Sequence, residues 1–299
     1  MLPAADELAE VLLDLAVPHE DIGDLVRMSR RVTDDPELRQ ALQASVAELV
    51  EGLGEIGTEL DLPDLDWPSG PLQRCFPVYV FVAALPYTRA YHRGRGIPDD
   101  VSRRTLADLG RHMAVHRRRY GVAGVHAVWW FGHHFRGELY QLGRLQFERA
   151  RLGRRTGTAL AAAGLDVGPG TPCLSLHIPD FLGPFSPAAC DRSLALAAEF
   201  FARYFPEEKY RVATCHSWLL DPQLRDYLPA GSNIVRFQDR FRLAREEREP
   251  SDTDPVEFVF GDPTLPAETL PRRSALERAV GDHLRAGGHW YTGHGWFPL

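Results

Sequence analysis

Between Leu174 and Leu243 the chain runs through LSLHIP, an amphipathic stretch opened by a loop, YRVATCHSWLL, a short segment over 221–228, and SNIVRFQDRFRL. Apolar alternation in the first, third and fifth of these, with helical spacing between them, predicts strand, helix, strand, helix, strand. That order directs a chain toward an α/β layer architecture, with strand ends gathered along one edge of a sheet. His177, Cys215, His216, Ser217, Tyr227 and Asn233 fall near those ends and connections. Chemistry is therefore sought there first.

The segments before it read differently. LAEVLLDLA and PELRQALQASVAELVEGLG carry apolar residues at helical spacing, the second after Asp34, Asp35 and Pro36, a helix start. A loop, DLPDLDWPSGP, leads to FPVYVFVAALPY, an apolar run compatible with a buried helix or a strand. IPDDVSRRTLADLGRHMAVHRRRYG predicts one helix opened by Asp99 or Asp100, followed by a short aromatic helix in HAVWWFGHHFRG. The character changes at Glu138: ELYQLGRLQFERARL alternates like a strand pair, and RRTGTALAAAGLDVGPG reads as a turn with a small-residue partner strand. The expected organisation is a helical domain over 1–137 and an α/β domain over 138–299. VEFVF is expected as a last strand. SALERAVGDHLRAGG is expected as a helix ended by Gly287 and Gly288, before an aromatic, His-rich tail.

Composition narrows the function class. A net charge of -7 over 299 residues, with Lys209 the only lysine, lacks the basic footprint that nucleic acid requires. Asp6, Glu7 and Glu10 precede the first apolar residues, the reverse of a signal peptide. The run Phe76 to Tyr87 is about half of what a ~20-residue membrane span needs. A cytoplasmic protein with neither nucleic-acid nor membrane partners is expected. Cys75, Cys173, Cys190 and Cys215 are widely spaced, which points to free thiols. His112 and His116 share an i, i+4 spacing without the glutamate of a zincin motif, and His133 and His134 diverge as neighbours on a helix, so no metal is expected.

The segments LGRLQFE, LSLHIP, CHSWLLDP, LPAGSNIVRFQ and AGGHWYTGHGW, in that order, resemble the GNAT-like C-terminal domain, which usually follows an N-acyltransferase N-terminal helical domain. The resemblance covers nearly the whole chain. It implies a mixed sheet flanked by helices, and transfer of an acyl group from acyl-CoA (acetyl-CoA included) or an acyl carrier protein to the amine of a small-molecule acceptor by direct attack. The alternative in another class is a GNAT-like module that binds a small molecule or a protein without catalysis. Typical GNAT proteins hold the CoA pyrophosphate on a Q/R-x-x-G-x-G/A loop. The matching loop here, IPDFLGPFSPAAC, has Gly183 but not that pattern, and Pro184 and Pro187 each remove a donor. Gly183, Ser186, Ala188, Ala189 and Cys190 are the expected cofactor-binding residues, because a helix starting near Ser186 still offers free N–H groups and a positive dipole end. Asp191 is an unfavourable neighbour for phosphate.

Acyl transfer to an amine needs a base, donors for the oxyanion and an acid for the thiolate. His177, at the end of an apolar strand, is the candidate base. Cys215, His216 and Ser217 lie on the strand where GNAT sheets part for pantetheine. Alternation separates Cys215 from His216, so a covalent route, or a thioesterase-like one, would pair Cys215 with His177. Tyr227 is placed like the tyrosine that protonates the thiolate in many GNAT enzymes. Asn233, His289 and Trp290 are candidate acceptor-binding residues, with Trp290 and Trp296 equally able to seal the sheet.

Overall fold

The computed structural model describes residues 1–57, 60, 62, 70–179, 182–243 and 249–299. Most of DLPDLDWPSGP, Asp180 and Phe181 of the expected phosphate loop, and 244–248 lie outside them. The chain divides into two compact units, 1–141 and 142–299.

The described part of the first unit is built on helices: α1 Ala5–Asp14, α2 His19–Asp34, α3 Pro36–Glu51, α4 Pro71–Gly94, α5 Asp99–Leu106, α6 Asp108–Tyr120 and α7 Val128–Phe135. The ambiguous apolar run is part of α4, which keeps Pro77 and Pro86 inside it and is buried almost all round from Cys75 to Leu85. A helix apolar on every side belongs at the centre of its unit, and residues of α1 to α3, α6 and α7 join α4 in one core cluster. The stretch expected as a single helix is broken at Ala107 into α5 and α6. Directly after the break, α6 approaches the turn that follows α1. The Gly110 N–H donates to Leu15 O at 3.1 Å, and a Cβ on Gly110 would stand 2.1 Å from the Ala16 carbonyl carbon. Only glycine fits there.

His92, buried on α4, has Nδ1 2.8 Å from Ser102 Oγ. Burial, with Arg89 adding to it, lowers its pKa from 6.5 to about 4. The sign follows from linkage: below pH 6.5 the unfolded chain takes up a proton that the folded one refuses until pH 4. This group therefore removes stability as pH falls through that window, by about 3 kcal/mol at its lower end. Denaturant unfolding from pH 7 to pH 4 should lose stability less steeply in His92→Gln than in the parent. Equal slopes would refute the assignment.

In the second unit the elements are β1 Leu139–Leu142, which straddles the division, β2 Leu145–Arg151, α8 Arg154–Ala162, β3 Pro172–His177, α9 Pro187–Tyr204, β4 Val212–Ser217, α10 Asn233–Gln238, β5 Arg242–Leu243, α11 Thr253–Phe260, α12 Ala275–Arg285 and β6 Gly293–Pro298. The strands form one mixed sheet in the order β1-β2-β3-β4-β6-β5. β3 and β4 are parallel, while β2–β3, β4–β6 and β5–β6 are antiparallel. The expected class, a helical part followed by a mixed sheet flanked by helices, is what the chain forms.

Four local expectations are corrected. RRTGTALAA is helix α8, because Leu160 has a core to enter beside Cys173, Val212 and Trp296. SNIVRFQ is helix α10: Ser232 caps it by accepting from Val235 N, and Val235 and Phe237 are buried. Asn233 thus opens a helix and not a strand. VEFVF belongs to α11, ended by Gly261 with φ 85°. The segment after Asp221 is only a 3-10 turn, Pro222–Asp226.

The His-rich tail supplies strand β6, inserted between β4 and β5. Its glycines explain the fit, since a Cβ on Gly293 would meet Leu220 at 2.8 Å and one on Gly295 would meet Phe241 at 2.9 Å. Asp221 ties the tail to the end of β4 by accepting from Gln223 N at 3.0 Å and Tyr291 N at 2.8 Å.

Register separates the two faces of this sheet. Phe147, Leu176, Ala213, Cys215 and Phe297 share one face, where Phe241, after α10, meets Phe297 at 5.1 Å. Glu148, Ser175, His177, Thr214, His216 and His294 share the other. One end of that second face is closed by Leu160 of α8, and the other end is polar.

Candidate active site

β2 and β3 are paired so that Gln146 faces His177 and Glu148 faces Ser175. Glu148 then reaches diagonally to His177, Oε2 to Nε2 at 2.7 Å, and Ser175 Oγ lies 3.3 Å from the same nitrogen. Both members are partly shielded, with side-chain exposures of 26% for His177 and 17% for Glu148. A carboxylate only accepts, so the Nε2 hydrogen belongs to this bond and the neutral ring carries its lone pair on Nδ1. Tautomer and ring orientation are thereby set, as a general base requires. The sequence reading placed His177 correctly at a strand end and missed Glu148, whose role depends on strand register.

The parallel β3–β4 ladder runs through Leu174/Ala213 and Ser175/Thr214 and stops there. Beyond it the two strands continue to His177 and Ser217. Main-chain groups on the facing edges thus lie outside the ladder immediately beside the Glu148–His177 pair.

After β3 the chain turns into α9, capped by Ser186, whose Oγ accepts from Ala189 N at 3.3 Å, with Pro187 at the first helical position. Cys190 N bonds Ser186 O at 3.0 Å. Ala189 and Cys190 therefore spend their N–H groups inside the cap, whereas Ala188, in the first turn, has no intrahelical acceptor. Gly183, at φ 76°, turns its carbonyl to accept from Arg144 Nε at 3.0 Å. Arg144 is buried, and its guanidinium carbon lies 5.2 Å from the Phe185 ring centroid. Arg240, after α10, pairs with Asp191 at 2.7 Å and donates to Pro187 O at 3.3 Å. Two guanidinium groups thus flank the positive end of α9, and Asp191 is neutralised by one of them. A helix start with guanidinium groups beside it has the chemistry to hold an anion. Arg144 and Arg240 had no sequence signal, because they lie 39 and 57 residues from Gly183 along the chain.

The remaining candidates disperse. Cys215 is fully buried on the face opposite His177, and burial pushes its thiol up to about 12. A Cys215–His177 dyad therefore has neither the geometry nor the thiolate it needs. Ser217 Oγ caps a turn by accepting from Leu219 N at 3.1 Å. Trp290 is wholly buried, with Nε1 donating to Val280 O at 3.3 Å, so it is core and not a cradle for the acceptor. His289 is exposed and bonded to Asp252 at 2.7 Å. Asn233 is exposed at the start of α10. Tyr227 places its hydroxyl 3.0 Å from His283 Nδ1, while His283 Nε2 lies 3.0 Å from His289 O. The carbonyl takes the Nε2 hydrogen, so Nδ1 accepts and the phenol donates to it. That directs the Tyr227 proton into His283. His216 contacts His294.

With this geometry in view, two family profiles match the chain: the N-acyltransferase N-terminal domain over 6–137 and the GNAT-like C-terminal domain over 139–297. The chain belongs to this acyltransferase family. Solved acyltransferases agree with it over its whole length. One, in complex with decanoyl-CoA and teicoplanin, is 40% identical with a TM-score of 0.90, covering 100% of this chain and 90% of that one. A mutant acyltransferase with octanoyl-CoA gives 39%, 0.90, 100% and 90%. An acyltransferase with CoA and 10C-teicoplanin gives the same four values. No curated protein matches. Among the described residues, no helix is long and apolar enough to cross a membrane.

Proposed function

We propose that this family member transfers an acyl group from a medium-chain acyl-CoA to the amine of a small acceptor by direct attack, with His177 as general base and Glu148 as its positioning residue. The carrying observation is the juxtaposition at the end of β3: a Glu148–His177 pair, a parallel ladder that stops at Ser175/Thr214, before His177, and a helix start flanked by Arg144 and Arg240. CoA supplies the diphosphate for the start of α9, and its pantetheine arm lies along the unladdered edges of β3 and β4. The solved relatives with decanoyl-CoA, octanoyl-CoA and CoA support the donor class. The complex with teicoplanin supports a small-molecule acceptor.

In the reaction, the amine nitrogen forms a bond to the thioester carbon and His177 Nδ1 takes the proton that nitrogen sheds. The oxyanion is held by main-chain N–H groups outside the ladder. The C–S bond then breaks and the thiolate leaves. Because an imidazolium is generally a stronger acid than a thiol, His177 can return its proton to sulfur. Tyr227 donates its hydroxyl to His283 and supplies no proton in this scheme.

Thermal unfolding with saturating decanoyl-CoA, acetyl-CoA or free CoA tests the reading. A ligand at 100 times its Kd adds about 2.7 kcal/mol to stability, so decanoyl-CoA should raise the midpoint by several degrees. No rise with any acyl-CoA would remove the donor from this scheme and favour a carrier protein or a non-catalytic binder.

A further inference from the structure

The polar face that carries His177 also carries an imidazole pair to which the acyl-transfer scheme gives no chemical step. His216 of β4 and His294 of β6 stand directly opposite one another in the antiparallel ladder, where Cβ atoms lie roughly 5 Å apart. Nδ1 of His216 and Nε2 of His294 are in contact. The ring centroids are 3.8 Å apart and the planes are inclined at 71°. His216 is exposed and His294 half-buried, so solvent reaches the pair.

When both rings are neutral, such a contact is one N–H donating to one lone pair. A divalent cation can replace that shared hydrogen and draw on a lone pair from each ring, at ~2.0–2.1 Å per nitrogen. The donor set selects the metal: two imidazoles suit Zn²⁺, Ni²⁺ or Cu²⁺, whereas Mg²⁺, Ca²⁺ and Mn²⁺ need carboxylates and carbonyls. Strand geometry pre-orders the pair, since adjacent rungs hold both Cβ atoms and leave only side-chain torsions to adjust. The neighbouring rung on the same face is Thr214 opposite Trp296, and the Arg242 guanidinium is drawn over the Trp296 ring at 5.1 Å.

We infer that His216 and His294 form an exposed two-histidine site for a borderline divalent transition metal, with water completing its coordination. His216 lies on the stretch of β4 beyond the β3 ladder, but the probe is a metal ion and not CoA, so failure of this inference is read apart from failure of the acyl-transfer reading.

The test is calorimetric titration of the untagged full chain, stripped with EDTA, with NiCl2. One equivalent should bind, and His216→Ala or His294→Ala should each weaken it roughly tenfold or more. His112→Ala, which breaks the other two-histidine spacing, should leave it unchanged. Binding that survives both strand variants, or that is lost only in His112→Ala, overturns the site, as does the absence of any binding by the parent. A measurement on the parent alone guards against misfolded variants: Zn²⁺ should protect His216 and His294 from diethyl pyrocarbonate and leave the exposed His19 reactive. Equal modification with and without Zn²⁺ would likewise refute it.

Discussion

Replacing His177 with Asn is expected to lower acyl transfer by about 10² to 10⁴, the span that general base catalysis contributes, while leaving the acyl-CoA-induced rise in unfolding midpoint intact. His177 is at the end of β3 and a quarter exposed, so Asn does not open a cavity. Its proton inventory changes instead: an amide cannot take the ammonium proton. Glu148→Ala should act through the ring. Without the 2.7 Å bond to Nε2, the imidazole is free to adopt the other tautomer, so kcat falls and the pH profile changes while KM for acyl-CoA holds. A role confined to packing would leave that profile where it was. The assay is release of CoA thiol from decanoyl-CoA with teicoplanin and a panel of small primary amines. A His177→Asn enzyme at a tenth of parental rate or better would dismiss the base assignment.

Glu208→Ala should destabilise the second unit by about 3–5 kcal/mol, because it removes the carboxylate that pairs with a buried guanidinium. Arg149 is 2% exposed and donates twice to Glu208, Nε to Oε2 at 3.0 Å and Nη2 to Oε1 at 2.5 Å. Its guanidinium carbon lies 4.3 Å from the Phe205 ring centroid, and Tyr210 donates its hydroxyl to the same carboxylate. Burial alone would raise the Glu208 pKa. The bonds from Arg149 and Tyr210 outweigh it and hold the carboxylate below its ordinary value. Against a typical total of 5–15 kcal/mol, such a loss is a large fraction of stability. The paired replacement Arg149→Met with Glu208→Leu should recover most of it, since a well-packed apolar pair needs no desolvated charge. Urea midpoints of the two variants decide the matter: a single variant within 1 kcal/mol of the parent would mean that water reaches Arg149.

What could be read along the chain follows the range of the forces that act there. Capping and periodicity are local, so Asp35 before α3 and the alternation in β2 and β3 were legible. Short apolar runs were not. IVRF and VEFVF carry β-branched and aromatic residues that suit a strand as well as a buried helix. The caps at Ser232 and Gly261 and the available packing partners resolved them as helices. The tail shows the same limit, because GHGWFP becomes a strand only where Leu220 and Phe241 leave room for two residues without side chains.

Residue identity and periodicity along the chain were enough to put His177 at a strand end, and the resemblance carried by five separated motifs was enough to place the family. Tertiary structure alone decided which groups meet. Glu148 reaches His177 through antiparallel register across 29 residues. Arg144 and Arg240 converge on α9 from the turn between β1 and β2 and the turn after α10. Cys215 was withdrawn to the opposite face by the pleat, and His216 was set against His294 from 78 residues away. Pairing across a sheet and burial are set by contacts distant in sequence, and one side chain's chemistry does not disclose its partner.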